Sequence, residues 1–182
     1  MYPSRSQYKT AVKNRLFPAK ENGGYDFVPI KHNDDIILSA GGNATVFKVQ
    51  DVDYNIYAVK LFTDFVEDRF ERLKKISNYL QNIALPFFVN FEFVDKLIYV
   101  DMPNQSEEEC YFPGVVMQRI EAPTLEIKLK ELVEKKDIKA IRIITEKFKR
   151  LSIDLLKSNI GHGDLKLSNI LVNDNLELFL ID

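Results

Sequence analysis

Residues 160–182 read IGHGDLKLSNILVNDNLELFLID, and the interpretation of the whole chain turns on this stretch. It sets an aspartate, a lysine, an asparagine and a second aspartate at short intervals: Asp164, Lys166, Asn169 and Asp182. These residue types suit phosphoryl-transfer chemistry. A carboxylate at Asp164 can accept a hydroxyl proton, an ammonium at Lys166 can neutralise charge on a migrating phosphoryl group, and Asn169 and Asp182 can hold metal ions. Between the last two, Ile170–Val172 and Leu176–Ile181 read as a pair of short strands that turn at Asn173-Asp174-Asn175.

Upstream of this stretch the pattern is helical. Ile141, Ile144, Phe148, Leu151 and Leu155 recur at spacings of three and four, which predicts a helix with one face in a core, and Asp137 is its candidate cap. Before it, Thr124 can cap a helix whose Leu125, Leu129, Leu132 and Val133 share a face. Further back the period changes to two. Ile36–Leu38, Thr45–Val49 and Ile56–Phe62 read as successive strands, turning at Gly41-Gly42 and at Asp53-Tyr54-Asn55. The piece from Asp64 to Asn82 is predicted helical, with Phe70, Leu73, Ile76 and Leu80 on its apolar side. Phe88–Val94, Lys96–Val100 and Pro113–Met117 read as further strands, with a polar loop over 101–110. Residues 1–33 are polar and interrupted by Pro3, Pro18, Gly23, Gly24 and Pro29, so an extension is expected that packs on a neighbouring surface or stays partly mobile.

Composition sets outer limits. With 182 residues the chain can form one large domain or two small lobes. Its net charge of −2 supplies no basic field for nucleic acid or an anionic membrane. The run Glu107-Glu108-Glu109 is expected in a solvated loop. The single cysteine, Cys110, cannot form an internal disulfide, which fits a reducing compartment. Neither an export leader nor an apolar run of about 20 residues is present, so the expectation is a cytoplasmic protein with no membrane contact.

Residues 160–182 resemble the catalytic loop of protein kinases, H-R-D-L-x-x-x-N, and the strand that ends in the aspartate of D-F-G. The matching residues are His162, Asp164, Leu165, Asn169 and Asp182. Other segments fall in the order the resemblance requires. Tyr57-Ala58-Val59-Lys60 is similar to V-A-I-K, with Lys60 fourteen residues after Val46. In the stretch Leu38–Phe47, Ser39, Gly41 and Ala44 take the glycine positions of G-x-G-x-x-G-x-V, and Val46 takes the valine. Val115–Glu121 looks like the strand and hinge that join two lobes.

The resemblance covers about residues 35–182 and is nearest to bacterial Ser/Thr protein kinases with an H-G-D loop. It implies an α+β, bilobal kinase-like fold. Residues 1–34 would be an extension, 35–119 an antiparallel-sheet amino-terminal lobe with one helix, and 120–182 a hinge with the first part of a helical carboxy-terminal lobe. It implies ATP with Mg²⁺ or Mn²⁺ as cofactors and a protein substrate. Asp164 and Lys166 would be catalytic, Asn169 and Asp182 the metal ligands. Ser39, Gly41, Ala44, Val46, Ala58, Lys60, Glu71, Met117, Gln118 and Ile120 would contact the nucleotide or support the residues that do. Glu71, and after it Glu67, is the candidate partner of Lys60. His162 would brace the loop, and Gly163, in place of the arginine, implies activation without a phosphate docked there.

Two other readings remain open: a pseudokinase or nucleotide-binding interaction module, and a small-molecule phosphotransferase of the aminoglycoside or choline kinase type. Lys166, two residues after Asp164, favours a protein substrate over a small one. The resemblance stops at Asp182, so the chain is expected to be a piece of a longer kinase or a shortened relative. Its helix at Ile141–Leu155 is then expected to lack cover, inviting a partner chain or self-association.

Overall fold

The computed structural model describes residues 1–18, 25–83 and 85–181. Asp182, Gly23 and Gly24, named above, lie outside the described residues. The fold is α+β, with an antiparallel sheet and four α-helices among the described residues. The chain divides into two compact units: residues 1–83 with 90–119, and residues 84–89 with 120–182.

The first unit opens with α1 (Arg5–Lys13), where the sequence pattern predicts only an extension. Ser4 caps it, its side chain accepting from the Gln7 amide while the Gln7 side chain accepts from the Ser4 amide. This reciprocal box satisfies two of the amide groups that a helix start leaves open. Tyr8, Ala11 and Val12, spaced three and four apart, are buried on one face. They pack into the same core as Phe27, Phe47, Val49, Val59, Leu61 and Val116. The amino-terminal segment is therefore part of the core of this unit.

The strands are β1 (Val28–Pro29), β2 (Ile37–Ala40), β3 (Ala44–Gln50), β4 (Ile56–Phe62), β5 (Phe91–Tyr99) and β6 (Tyr111–Gln118). They run in the order β1-β3-β4-β6-β5, and β2 shares the outer edge of β3 with β1. β3 alternates as its sequence demands, with Thr45, Phe47 and Val49 fully buried. The two strands expected at Phe88–Val94 and Lys96–Val100 are one, β5, with its register shifted between Val94 and Ile98. The irregularity at that point leaves the polar Asp95-Lys96 pair exposed without ending the strand. Phe88 falls outside β5 and belongs to the second unit, where it bridges Leu180.

α2 (Arg69–Asn82) begins later than Asp64, because Asp68 at φ 58° interrupts the helical path. Its inward stripe is Phe70, Leu73, Ser77 and Leu80, whereas Ile76, expected inside, is 46% exposed. Ser77 buries its hydroxyl by donating to the Phe91 carbonyl at 2.8 Å, and Phe70 stacks on Phe93 at 5.5 Å. Those contacts seat α2 on β5.

In the second unit, α3 (Leu125–Glu134) and α4 (Ile138–Lys157) carry the expected caps. Thr124 accepts from the Ile127 amide and Asp137 from the Ala140 amide. β7 (Ile170–Val172) and β8 (Leu178–Leu180) form the terminal hairpin. The Val172 amide donates to the Pro123 carbonyl, and the Leu180 amide to the Phe87 carbonyl. The apolar stripe of α4 is largely covered, contrary to expectation, with Ile141 and Phe148 half-buried at its margin. Ile144, Leu151 and Leu155 are buried with Leu125, Leu132, Phe87 and the hairpin residues Ile170, Val172, Leu178 and Leu180. Val133, expected on the inward face of α3, is 63% exposed.

Candidate functional site

In the second unit, α4 ends at Lys157 and the chain passes through residues 158–166 without regular structure. A 3-10 turn at Leu167–Asn169 then launches β7. That turn brings Asp164, Lys166 and Asn169 together. The Lys166 ammonium lies 2.7 Å from Asp164 Oδ2. Asn169 is buried, and its Nδ2 donates both to Asp164 Oδ2 at 2.9 Å and to the Asp164 backbone carbonyl at 3.0 Å. The asparagine is itself fixed through its backbone. Its amide donates to the Lys166 carbonyl at 2.9 Å, and its carbonyl accepts from the Ile181 amide at 3.0 Å.

Asp164 is exposed, and its carboxyl is held below the usual carboxylate range. The hydrogen bond from Lys166 is the largest cause, and that from Asn169 adds to it. The group is thus an ionised acceptor at neutral pH, open to solvent and held in place from one side. Gly163 has φ +78°, in the left-handed region that favours glycine. Glycine at this position therefore matches the backbone that this loop adopts. His162 is half-buried, and its Nδ1 has no hydrogen-bond partner among the described residues.

With Nδ2 committed to Asp164, Asn169 has its Oδ1 left for a cation. That is a hard oxygen donor of the kind Mg²⁺ or Mn²⁺ takes, so the residue present fits the expected ion. Asp182, the other expected ligand, lies outside the described residues.

In the first unit the candidate residues are distributed over one face of the sheet. Val46 lies opposite Lys60, and Lys60 opposite Val115; Ala58 lies opposite Lys48 and Met117. Side chains two apart share a face, so Val46, Ala58, Lys60 and Met117 point the same way. The opposite face, with Phe47, Val59 and Leu61, is the one that packs into the core with α1. Ala58 is buried, and Lys60, Val46 and Met117 are half-buried. Burial is the main cause that lowers the Lys60 pKa, and the charge of Arg69 lowers it further. Gln118 is exposed and pairs with Tyr57 across β4. Ile120 is half-buried in the second unit.

The β2–β3 connection is a short hairpin. Ser39 pairs with Val46, and the Gly41 amide donates to the Ala44 carbonyl at 3.0 Å. At its tip the amides of Gly42 and Asn43 donate to no group among the described residues. Glu71 stands exposed in the first turn of α2, and no ion pair joins it to Lys60 among the described residues. The charged side chain of α2 that acts on Lys60 is instead Arg69. Its guanidinium lies 4.8 Å over the Phe62 ring and 3.2 Å from Asp64. Sequence spacing gave no signal for Arg69, because its place depends on where α2 begins. No helix among the described residues is long and apolar enough to cross a membrane. The sequence matches no protein-family model and no curated protein.

Proposed function

We propose that this chain carries a centre for ATP-dependent phosphoryl transfer to serine or threonine hydroxyls of proteins, within a protein-kinase-like bilobal fold. The cluster of Asp164, Lys166 and Asn169 carries the reading. An exposed, ionised carboxylate is clamped by an ammonium at 2.7 Å and by a buried amide at 2.9 Å. Such a group is suited to orient an acceptor hydroxyl and take its proton. As the acceptor oxygen bonds to the γ-phosphorus, its proton passes to Asp164 and the bond from that phosphorus to the leaving ADP oxygen breaks. Lys166 lies beside the path of transferred charge and offsets it.

Asn169 Oδ1 and Asp182 would hold Mg²⁺ or Mn²⁺, which neutralises phosphate charge when bound. Lys60 supports the same reading from the first unit. Burial lowers its pKa, so an anionic ligand would offset part of what its ammonium loses in hydration. Ala58 and Met117, on the same face, offer a small and a flexible apolar surface for a purine.

A second reading has an observation in its favour. Without an ion pair between Glu71 and Lys60 among the described residues, and with Gly41 the only glycine at the three hairpin positions, the chain could bind nucleotide without transferring phosphate. Calorimetry with ATP and Mg²⁺ on wild type and Lys60→Ala tests the shared part. The reading requires weaker binding by the variant, and equal affinities would remove Lys60 from the site. Incubation with radiolabelled ATP and separate panels of proteins and of amino sugars or amino alcohols tests the rest. Label on proteins supports the first reading, ATP binding without transfer the second, and label on the small acceptors a small-molecule phosphotransferase.

A further inference from the structure

We propose that Arg5 of α1 is a positioning residue for the β2–β3 hairpin, holding its tip so that the free amides can meet a phosphate. The inference rests on the phosphoryl-transfer reading and adds the amino-terminal helix to it. Arg5 donates from its guanidinium to the Gly41 carbonyl. A trans peptide is planar, with its N–H opposed to its carbonyl. Fixing the Gly41 carbonyl toward α1 therefore turns the Gly42 amide away from α1. Because α1 packs on the face of the sheet that carries Phe47, Val59 and Leu61, the amide is aimed toward the side of Val46 and Lys60.

The helix that presents Arg5 is anchored, so the contact has a firm base. Tyr8 is fully buried and donates its hydroxyl to the Phe62 carbonyl at 2.8 Å, at the end of β4. Lys9 pairs with Asp35 at 2.9 Å, just ahead of β2. Three successive polar contacts, from Arg5, Tyr8 and Lys9, thus tie one helix to the tip of the hairpin, to the strand beside it and to the approach of β2. Gly41 and Gly42 leave the tip free to rotate unless something outside it sets the peptide plane. Adding a Cβ at Gly42 would meet nothing within 4 Å, so packing does not set it. Thr63 holds the far side of the turn, its amide donating to the Asn43 carbonyl at 3.0 Å and its hydroxyl to the Gly42 carbonyl at 3.5 Å, and Arg5 is the contact that fixes the peptide between Gly41 and Gly42.

The test uses the full chain with uniform ¹⁵N label, as wild type, Arg5→Ala and Arg5→Lys. In the free protein, relaxation of the Gly41, Gly42 and Asn43 amides should show greater mobility in Arg5→Ala, with the melting temperature unchanged. On addition of ATP and Mg²⁺, the Gly42 amide should shift strongly in wild type and weakly in Arg5→Ala. ATP affinity should fall by roughly three- to tenfold, the scale of one ordinary hydrogen bond, because the amide is loosened and not removed. Arg5→Lys should recover part of both. Wild-type binding with an unchanged Gly42 response and affinity in Arg5→Ala overturns the inference and leaves the site intact. Absence of ATP binding by wild type overturns the phosphate reading of the hairpin, and this inference with it.

Discussion

Gly114→Ala should destabilise the first unit because of how closely β4 and β6 approach. Gly114 pairs with Leu61 across β4 and with Val94 across β5. A Cβ added at this position would lie 2.6 Å from Leu97 Cδ2, 2.8 Å from the Lys60 carbonyl oxygen and 2.9 Å from Leu61 Cδ2. Comfortable contact begins near 3.5 Å, so all three overlaps must be relieved. Leu61 and Leu97 are fully buried and have little room to turn, while the Lys60 carbonyl belongs to a strand paired on both sides. The expected cost is about 2–3 kcal/mol, toward the upper part of the range for an extra methyl in a packed core. For a chain of this size that lowers the melting temperature by roughly 4–12 °C.

Tyrosine is the natural probe. The chain has no tryptophan, and all eight of its tyrosines fall in the first unit. Near-ultraviolet circular dichroism during urea or thermal denaturation therefore follows that unit alone. Gly42→Ala, in the same unit and with nothing within 4 Å of the added carbon, is the control and should stay within about 0.5 kcal/mol of wild type. Gly114→Ala should also weaken ATP binding, since the displaced strand carries Lys60. If it unfolds within about 0.5 kcal/mol of wild type, β4 and β6 do not approach as described.

Other perturbations probe separate parts of the account. Tyr8→Ala should cost about 3–5 kcal/mol by urea denaturation, the loss for a large buried ring, whereas a peripheral amino-terminal segment would cost almost nothing. Lys166→Met should raise the Asp164 titration midpoint toward the ordinary carboxylate value, read by carboxyl ¹³C chemical shift against pH; no change would remove the lysine as the main cause. Because the folded-state value is depressed, stability linked to Asp164 is present above the unfolded carboxylate range and is lost as pH falls through the folded value. The Lys166 variant should therefore show a weaker acid dependence of unfolding. Gly163→Ala should cost about 1–2 kcal/mol through its φ of +78°, although open space surrounds it; far-ultraviolet circular dichroism with denaturant measures this, and a neutral result would contradict the left-handed backbone.

Much of the element order was legible because the relevant signals are local. Thr124 and Asp137 each precede an apolar stripe, and both accept from the amide three residues on. The alternation of Thr45–Val49 and Ile56–Phe62 placed β3 and β4 because one face of each is buried in a single core. α1 was missed although Ser4 and Gln7 spell a capping box, since only Tyr8, Ala11 and Val12 mark its apolar face and the rest is polar. The apolar Ile76 fits the inward stripe by type, yet Ser77 takes that place by giving its hydroxyl to the Phe91 carbonyl. The proximity of Asp164, Lys166 and Asn169 follows from six residues of sequence and one 3-10 turn. The pairing chosen for Lys60 depended on the rotation of α2, which spacing alone does not set, and Glu71 is turned to solvent.

The most direct measurement of the central claim is the rate of phosphate transfer from radiolabelled ATP to protein hydroxyls by wild type and Asp164→Asn, with ATP affinity measured alongside. Asparagine preserves the shape of the side chain and removes the proton acceptor. The account predicts a fall in turnover of about 10²–10⁴-fold, the range for a general base, with ATP affinity almost unchanged. Transfer by Asp164→Asn at the wild-type rate would contradict it.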